Sequence, residues 1–273
     1  MSKYGTPLIL FVLFEALALC LFLWTGNLFY LLNFSYIGTS IGVGGALLAG
    51  GWRYGRELTQ LLVGTYMLVV VGMMCGENMQ IEGFWWYAAS GVCGGAVLHY
   101  VIAKIVGPLY FGRGWCGYAC WTAMVLDLLP YKTRRGERRK LEWVRYVMFA
   151  ASLVVVAGLM VTGKADAETM FGVFIAGNVV YYVAGIVLAL GLKDNRAFCK
   201  YVCPVAVFLK PMSRYARLRV KWDEGACIKC GKCVKVCPMD VDMCDNSRYR
   251  KNATECILCQ RCIKKCPKNA LKI

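Results

Sequence analysis

Two cysteine runs near the end of the chain restrict its fold more than anything else in the sequence. The first is Cys227-x2-Cys230-x2-Cys233-x3-Cys237-Pro238; the second is Cys256-x2-Cys259-x2-Cys262-x3-Cys266-Pro267. Three thiolates at two-residue gaps can wrap one face of a cubane within a tight loop. The fourth, ahead of proline, leaves that loop and ligates the other cluster. The spacing therefore predicts two [4Fe–4S] clusters with crossed ligand sets. Cys227, Cys230, Cys233 and Cys266 hold one; Cys256, Cys259, Cys262 and Cys237 hold the other. A zinc ribbon needs two CxxC pairs and four ligands, not eight in this order. Cys244 lies outside both runs and reads as a spare thiol.

What precedes the runs is too apolar for a soluble domain. Of 273 residues, 59% are hydrophobic, with a mean hydropathy of +0.51, as in a multi-span membrane protein. Six stretches approach the length that crosses the hydrocarbon core: 8–32, 35–51, 58–75, 84–106, 143–162 and 171–192. The first is too long for a signal-peptide core and reads as a retained anchor. The second is short and rich in glycine, which suits close helix packing.

The charges orient the spans. With the N-terminus inside, inner loops hold Arg53, Arg56 and the block Lys132, Arg134, Arg135, Arg138, Arg139 and Lys140. Lys164 is the only one of the 32 Lys and Arg placed in an outer loop, beside Glu77, Glu82, Asp166 and Glu168. The positive-inside rule then puts both termini in the cytoplasm. The formal charge of +16 follows from this topology, and nucleic-acid binding is not indicated.

The fourth and sixth stretches run into related segments, Arg113-Gly-Trp115-Cys116-Gly-Tyr118-Ala-Cys120 and Arg196-Ala-Phe198-Cys199-Lys-Tyr201-Val-Cys203. Both read Arg-x-aromatic-Cys-x-Tyr-x-Cys, and they lie 83 residues apart. This indicates two parallel hairpin repeats, each ending in a CxxxC motif at the cytoplasmic surface. Parallel repeats pack around an axis along the membrane normal, so Cys116, Cys120, Cys199 and Cys203 can converge as metal ligands. They form either a third iron–sulfur cluster or a set of buried or redox-active thiols. The amphipathic stretches that follow, Thr122–Pro130 and Val205–Val220, suit the headgroup plane.

Together these features resemble the NapH-type membrane polyferredoxins, with relatives among NosR-like and CcoG-like proteins. The resemblance runs from about Leu58 to Ile273. Cys199, Cys203 and Pro204 match the family's CxxxCP motif, and the eight tail cysteines match its two ferredoxin runs; Cys116 and Cys120 match the motif too, but Trp121 replaces the proline. The resemblance implies electron exchange between a quinol or ferredoxin pool and a partner oxidoreductase, within a larger complex.

The expected architecture is an α-helical polytopic membrane protein of about six spans, with two parallel hairpin repeats and a C-terminal small α+β domain of the 2[4Fe–4S] ferredoxin type. Its parts are an N-terminal membrane hairpin (1–57), two membrane repeats (58–142 and 143–221) and the ferredoxin-like domain (222–273). Expected cofactors are two [4Fe–4S] clusters, with a third cluster and a quinone as further candidates. Expected partners are the lipid bilayer, a soluble ferredoxin-like or other redox protein, and other subunits of a membrane complex. The tail from Lys221 carries 12 Lys and Arg against six Asp and Glu. That charge suits an acidic donor or anionic headgroups. The lone histidine, His99, excludes a bis-histidine haem within this chain and is expected to make an interhelical hydrogen bond. Glu15 is expected to face the bundle, and Cys20, Cys75 and Cys93 read as packing residues. The leading function is an electron-transfer subunit, without self-contained substrate chemistry. The alternatives are a metal-reductase or assembly factor for a respiratory complex, and a subunit of a redox-driven ion pump.

Overall fold

A computed structural model describes residues 4–131 and 138–273. Lys132, Arg134 and Arg135 of the basic loop lie outside the described residues. Helices α1 (Gly5–Thr25) and α2 (Leu28–Ala49) form a hairpin. Gly26 closes α1 at φ +67°, and the Asn27 side chain caps α2 by accepting from the Phe29 amide. Glu15 turns to α2, where Ser35 donates to it at 2.7 Å. The glycine-rich second stretch is thus a full helix, and its glycines admit α3 (Gly55–Met74). A Cβ at Gly44 would collide with the Thr59 hydroxyl of α3.

The fourth stretch is not one continuous helix. It is divided into α4 (Ile81–Ala89) and α5 (Gly95–Phe111). Gly91, at φ +68°, turns the chain between them. Ahead of α4 an irregular segment is satisfied from within the bundle: Asn78 donates to the Met170 carbonyl at 2.9 Å. Irregular backbone is tolerated at membrane depth when protein covers it in this way. One-turn helices α6 (Gly114–Tyr118) and α10 (Ala197–Tyr201) carry the two motifs. The remaining elements of this part are α7 (Trp121–Leu126), α8 (Val144–Val161), α9 (Ala167–Leu192) and α11 (Ala206–Ser213). The second repeat is the simpler one, with α8 and α9 as continuous helices.

Among the described residues five helices, α1, α2, α3, α8 and α9, are long and apolar enough to cross a membrane, and α5 is a shorter apolar helix. Their outward faces carry exposed Leu and Val, such as Leu23, Val154, Val161, Val183 and Val187. A helix apolar on its outer face as well as its inner one suits a membrane span or the core of a larger assembly.

The tail sits on one end of this bundle. The beginnings of α1, α3 and α8 and the ends of α2, α5 and α9 all reach that end. Thr6 and Ala49 line a cavity with Leu271 and Ile273. Arg145, near the start of α8, pairs with Glu255 of the tail at 3.2 Å. The tail itself closes with an antiparallel pair, β1 (Lys221–Trp222) on β2 (Leu271–Lys272), in the register Lys221 to Lys272. Two short helices, α12 (Lys232–Lys235) and α13 (Arg261–Lys265), follow the cysteine loops.

Candidate iron–sulfur centre

The two CxxxC motifs share one backbone turn. In the first, the Ala119 and Cys120 amides donate to the Trp115 carbonyl at 2.9 and 3.1 Å. In the second, the Val202 and Cys203 amides donate to the Phe198 carbonyl at 2.9 and 3.0 Å. Each turn places its two sulfurs on one side of a short helix. The arginines then cross over: Arg113 of the first motif donates to the Cys199 carbonyl at 3.3 Å, and Arg196 of the second donates to the Cys116 carbonyl at 2.9 Å. This reciprocity is what two parallel repeats would produce. Trp121, at the position of the motif's missing proline, fills the centre of the bundle. Its indole donates to Asn178 Oδ1 of α9 at 2.8 Å.

The four sulfurs act on one another electrostatically. Burial pushes the Cys199 thiol up to about 12, with Arg196 opposing it and the other three sulfurs adding to the rise. Burial likewise raises Cys203 to about 11, reinforced by Cys116 and Cys120, and Cys120 is raised by burial and Cys116. Cys199 and Cys203 as free thiols stay protonated at neutral pH, so metal uptake by them must release protons. Among the described residues no three His, Cys, Asp or Glu side chains form a ready-made shell for a single metal ion. The fit to a cluster rests on the donor set: four neighbouring cysteines that influence one another's charge, and two buried guanidiniums to balance thiolates.

In the tail, one small void is lined by Cys227, Cys230, Cys233, Cys244 and Cys266; the other by Cys237, Cys256, Cys259 and Cys262. The last cysteine of each run thus lies with the first three of the other, the grouping that crossed ligand sets would need. The two loops repeat the same backbone path, with positive φ at Lys229, Gly231 and Asp240 in the first and at Leu258, Gln260 and Asn269 in the second. Such turns aim successive amides inward, as anion-binding nests do. Three amides reach sulfurs: Lys229 to Cys227, Val241 to Cys237 and Ala270 to Cys266, at 3.4, 3.4 and 3.3 Å. Cys244 is closer than its place in the sequence suggested, with its sulfur 3.9 Å from that of Cys233.

The two tail groups are not equivalent. The second run lies against the first motif: Tyr118 donates to the Leu258 carbonyl at 3.0 Å. A Cβ at Gly117 would collide with the Ile257 carbonyl oxygen, so only glycine admits this contact. Cys116, Cys199, Cys237, Cys262 and Ile257 share one packed core. The first run is distal. Cys230 is exposed, as is Ile228 beside it.

Several other expectations meet a different environment. His99 packs edge-on against Trp115, at 5.0 Å between ring centroids, and its Nε2 has no hydrogen-bond partner among the described residues. Cys20, Cys75 and Cys93 lie on the exposed surface of the chain. The residues that sequence reasoning missed are Asp127 and Glu255. Each is a buried carboxylate holding motif arginines. Their signals in the sequence are slight: Asp127 is a lone acid in an apolar stretch, and Glu255 an acid following the basic run Arg248, Arg250 and Lys251.

Comparison with known proteins supports iron–sulfur binding by this chain. Residues 219–267 match a family described as a 4Fe-4S dicluster domain. Residues 94–140 and 178–223 each match a 4Fe-4S binding domain, so both repeats bear the same signature. An uncharacterized protein of Methanocaldococcus jannaschii is 28% identical over 203 residues, covering 68% of this chain and 74% of the relative. The methylamine utilization ferredoxin-type protein MauN of Methylobacillus flagellatus is 31% identical over 153 residues, 49% of this chain and 52% of the relative. The nitrogen fixation protein FixG of Rhizobium meliloti is 29% identical over 181 residues, 50% of this chain and 34% of the relative. The chain thus spans about half of MauN and a third of FixG. No solved structure matches. The chain carries 4Fe–4S ferredoxin-type domains on a helical bundle suited to a membrane, and its homologues point to electron transfer.

Proposed function

We propose that the chain is a multi-pass subunit of the cytoplasmic membrane, both termini cytoplasmic, that passes electrons between a soluble redox protein and a partner oxidoreductase. Cys227, Cys230, Cys233 and Cys266 hold a distal [4Fe–4S] cluster. Cys256, Cys259, Cys262 and Cys237 hold a proximal one, and Cys116, Cys120, Cys199 and Cys203 hold a third between the repeats. Such clusters supply one-electron redox centres. The observation that carries this reading is the seating of Ile257 and Leu258, from the proximal loop, directly on the first motif. The residues around the three groups then divide the work. The exposed first run meets a donor, and the bundle end shields the inner sulfurs from water.

The distal end is basic. Lys229, Lys232 and Lys268 are exposed there, and Lys232 and Lys268 line the distal void with its cysteines. An acidic ferredoxin-like carrier would be steered to this face. Its second-order rate of reducing the anaerobic chain is expected to fall about tenfold between low and physiological-to-high salt, as screening shortens the reach of the field. Stopped-flow mixing with a reduced acidic ferredoxin measures this. A rate indifferent to salt would remove the basic face as the entry point.

The quinone pool is a second source or sink of electrons, favoured by a cavity of about 660 Å³ at the tail end of the bundle. Pro7, Phe111, Trp115, Tyr118 and Gln260 are among its walls. It adjoins the loops of Cys116 and Cys259 and is bounded by the lipid-facing α1–α2 hairpin. A membrane-dissolved quinone would find an apolar lining there, with Tyr118 and Gln260 as polar groups.

A further inference from the structure

Each motif arginine is buried and must be neutralised, and the two repeats do this differently. In one half Asp127 accepts from Arg196 Nε at 2.9 Å and from Arg56 Nη1 at 3.0 Å. Arg56 is the second residue of α3. In the other half Glu255 accepts from Arg113 and, at 3.2 Å, from Arg145, the second residue of α8. The two constellations correspond: a motif arginine, a helix-start arginine and one carboxylate. The source of the carboxylate differs. Counting 83 residues on from Asp127 reaches Lys210, which cannot accept. Its ammonium instead reaches Glu255 at 3.1 Å. The first repeat closes its own clamp. The second takes its carboxylate from the tail, one residue ahead of Cys256.

We infer that Glu255 is a positioning residue that makes the four-sulfur site between the repeats depend on docking of the tail. Arg113 and Arg145 are fully buried and Glu255 is 1% exposed. Without the tail carboxylate, Arg145 would keep only Glu142, at 3.9 Å, and Arg113 would lose the carboxylate it pairs with; burying unpaired charge is strongly unfavourable. Arg113 would then withdraw toward water and release the Cys199 carbonyl it holds. That carbonyl orients the second motif's turn. Docking therefore brings the proximal cysteines alongside and, in the same contact, fixes the loop that carries the inner ones. A carboxylate inside the second repeat would have fixed that loop without the tail.

The inference rests on reading the four cysteines as a cluster site, and its test separates the two. The full chain is purified anaerobically as wild type, Glu255→Gln, Glu255→Asp and Glu255→Gln with Lys210→Glu. Two quantities are read: the EPR signal and potential of any species beyond the two tail clusters, and amide exchange over 112–120 and 197–203. Glu255→Gln keeps the side-chain shape and loses the charge. It should lose most of the third species, keep both tail signals and speed exchange in both segments about tenfold. Glu255→Asp should retain the third species. Adding Lys210→Glu to the Glu255→Gln chain should restore it by supplying a carboxylate at the twofold-related position. A Glu255→Gln chain with unchanged exchange and an unchanged third species would overturn the inference, as would a double variant no better than the single one. If wild type shows only the two tail clusters, the third-cluster reading fails, and exchange alone judges the clamp.

Discussion

Serine at both Cys116 and Cys199 is expected to strip one whole cluster from the full chain while both tail clusters survive. The double substitution removes one thiolate from each motif, so neither repeat can supply a complete half of the site. A serine hydroxyl is far less acidic than a thiol and a poorer iron ligand, and two sulfurs do not hold a core that needs four. The tail is insulated from the change because its own ligand groups are complete: other cysteines line each void, five at the distal one, Cys244 included, and four at the proximal one. Iron and acid-labile sulfide should drop by about four each if the lost core is a [4Fe–4S] cluster, or by about two if it is [2Fe–2S]. EPR of the reduced chain should lose one species. Unchanged iron and an unchanged spectrum would make the four cysteines buried thiols, and the 83-residue repeat a matter of architecture alone.

Loss of Cys266 is expected to destroy the distal cluster, although Cys266 belongs to the second run. Its sulfur lines the void of Cys227, Cys230 and Cys233, and the Ala270 amide, 3.3 Å away, donates to it. Cys237→Ser should have the mirror effect and remove the proximal cluster. The magnitude is large because the tail is small, is closed by one two-residue strand pair, and has cysteines packed into its core. Metal binding there is inseparable from folding. In two-cluster tails the reduced centres couple magnetically, so EPR of each variant should show a simplified, uncoupled signal from the remaining centre. If Cys266→Ser leaves a cluster on Cys227, Cys230 and Cys233 and loses the other, the ligand sets are not crossed.

The tail was legible in the sequence because cluster ligation fixes residue type and spacing together. The crossed grouping, the repeated positive-φ positions and the two voids all follow from those eight cysteines. The long apolar helices α1, α2, α3, α8 and α9 were legible for a cruder reason, since hydropathy over about 20 residues reports what lipid requires. That same average hid the division between α4 and α5. Hydropathy counts Gly91 and Gly94 as mildly apolar and does not register that they end one helix and begin another. Nor does it show that Asn78 finds a carbonyl on α9.

The arginine clamps were beyond reach for another reason. Asp127 and Glu255 each look like an ordinary loop acid. Their partners are set by how the two repeats and the tail meet, and Glu255 lies 142 residues from Arg113. Burial alone would raise the Glu255 carboxyl. Arg113, Arg145, Lys210 and Arg138 instead hold it down at about 2. The repeat did carry a hint, because Asp127 and Lys210 stand at equivalent places with opposite charge. Only the docked tail explains that reversal. His99 shows the converse: its type suggested a hydrogen bond, but its Nε2 finds no partner among the described residues, and its ring packs against Trp115 and Trp121.

The central claim is that three cluster sites meet at one end of the bundle, two in the tail and one between the repeats. Anaerobic analysis of the full-length chain for iron and acid-labile sulfide, on the same sample as reduced-state EPR, tests it most directly. Three reducible species are expected, with about twelve iron and twelve sulfide per chain for a third [4Fe–4S] core, or about ten of each for a [2Fe–2S] core. Two species with about eight of each would confine the clusters to the tail and contradict the site between the repeats.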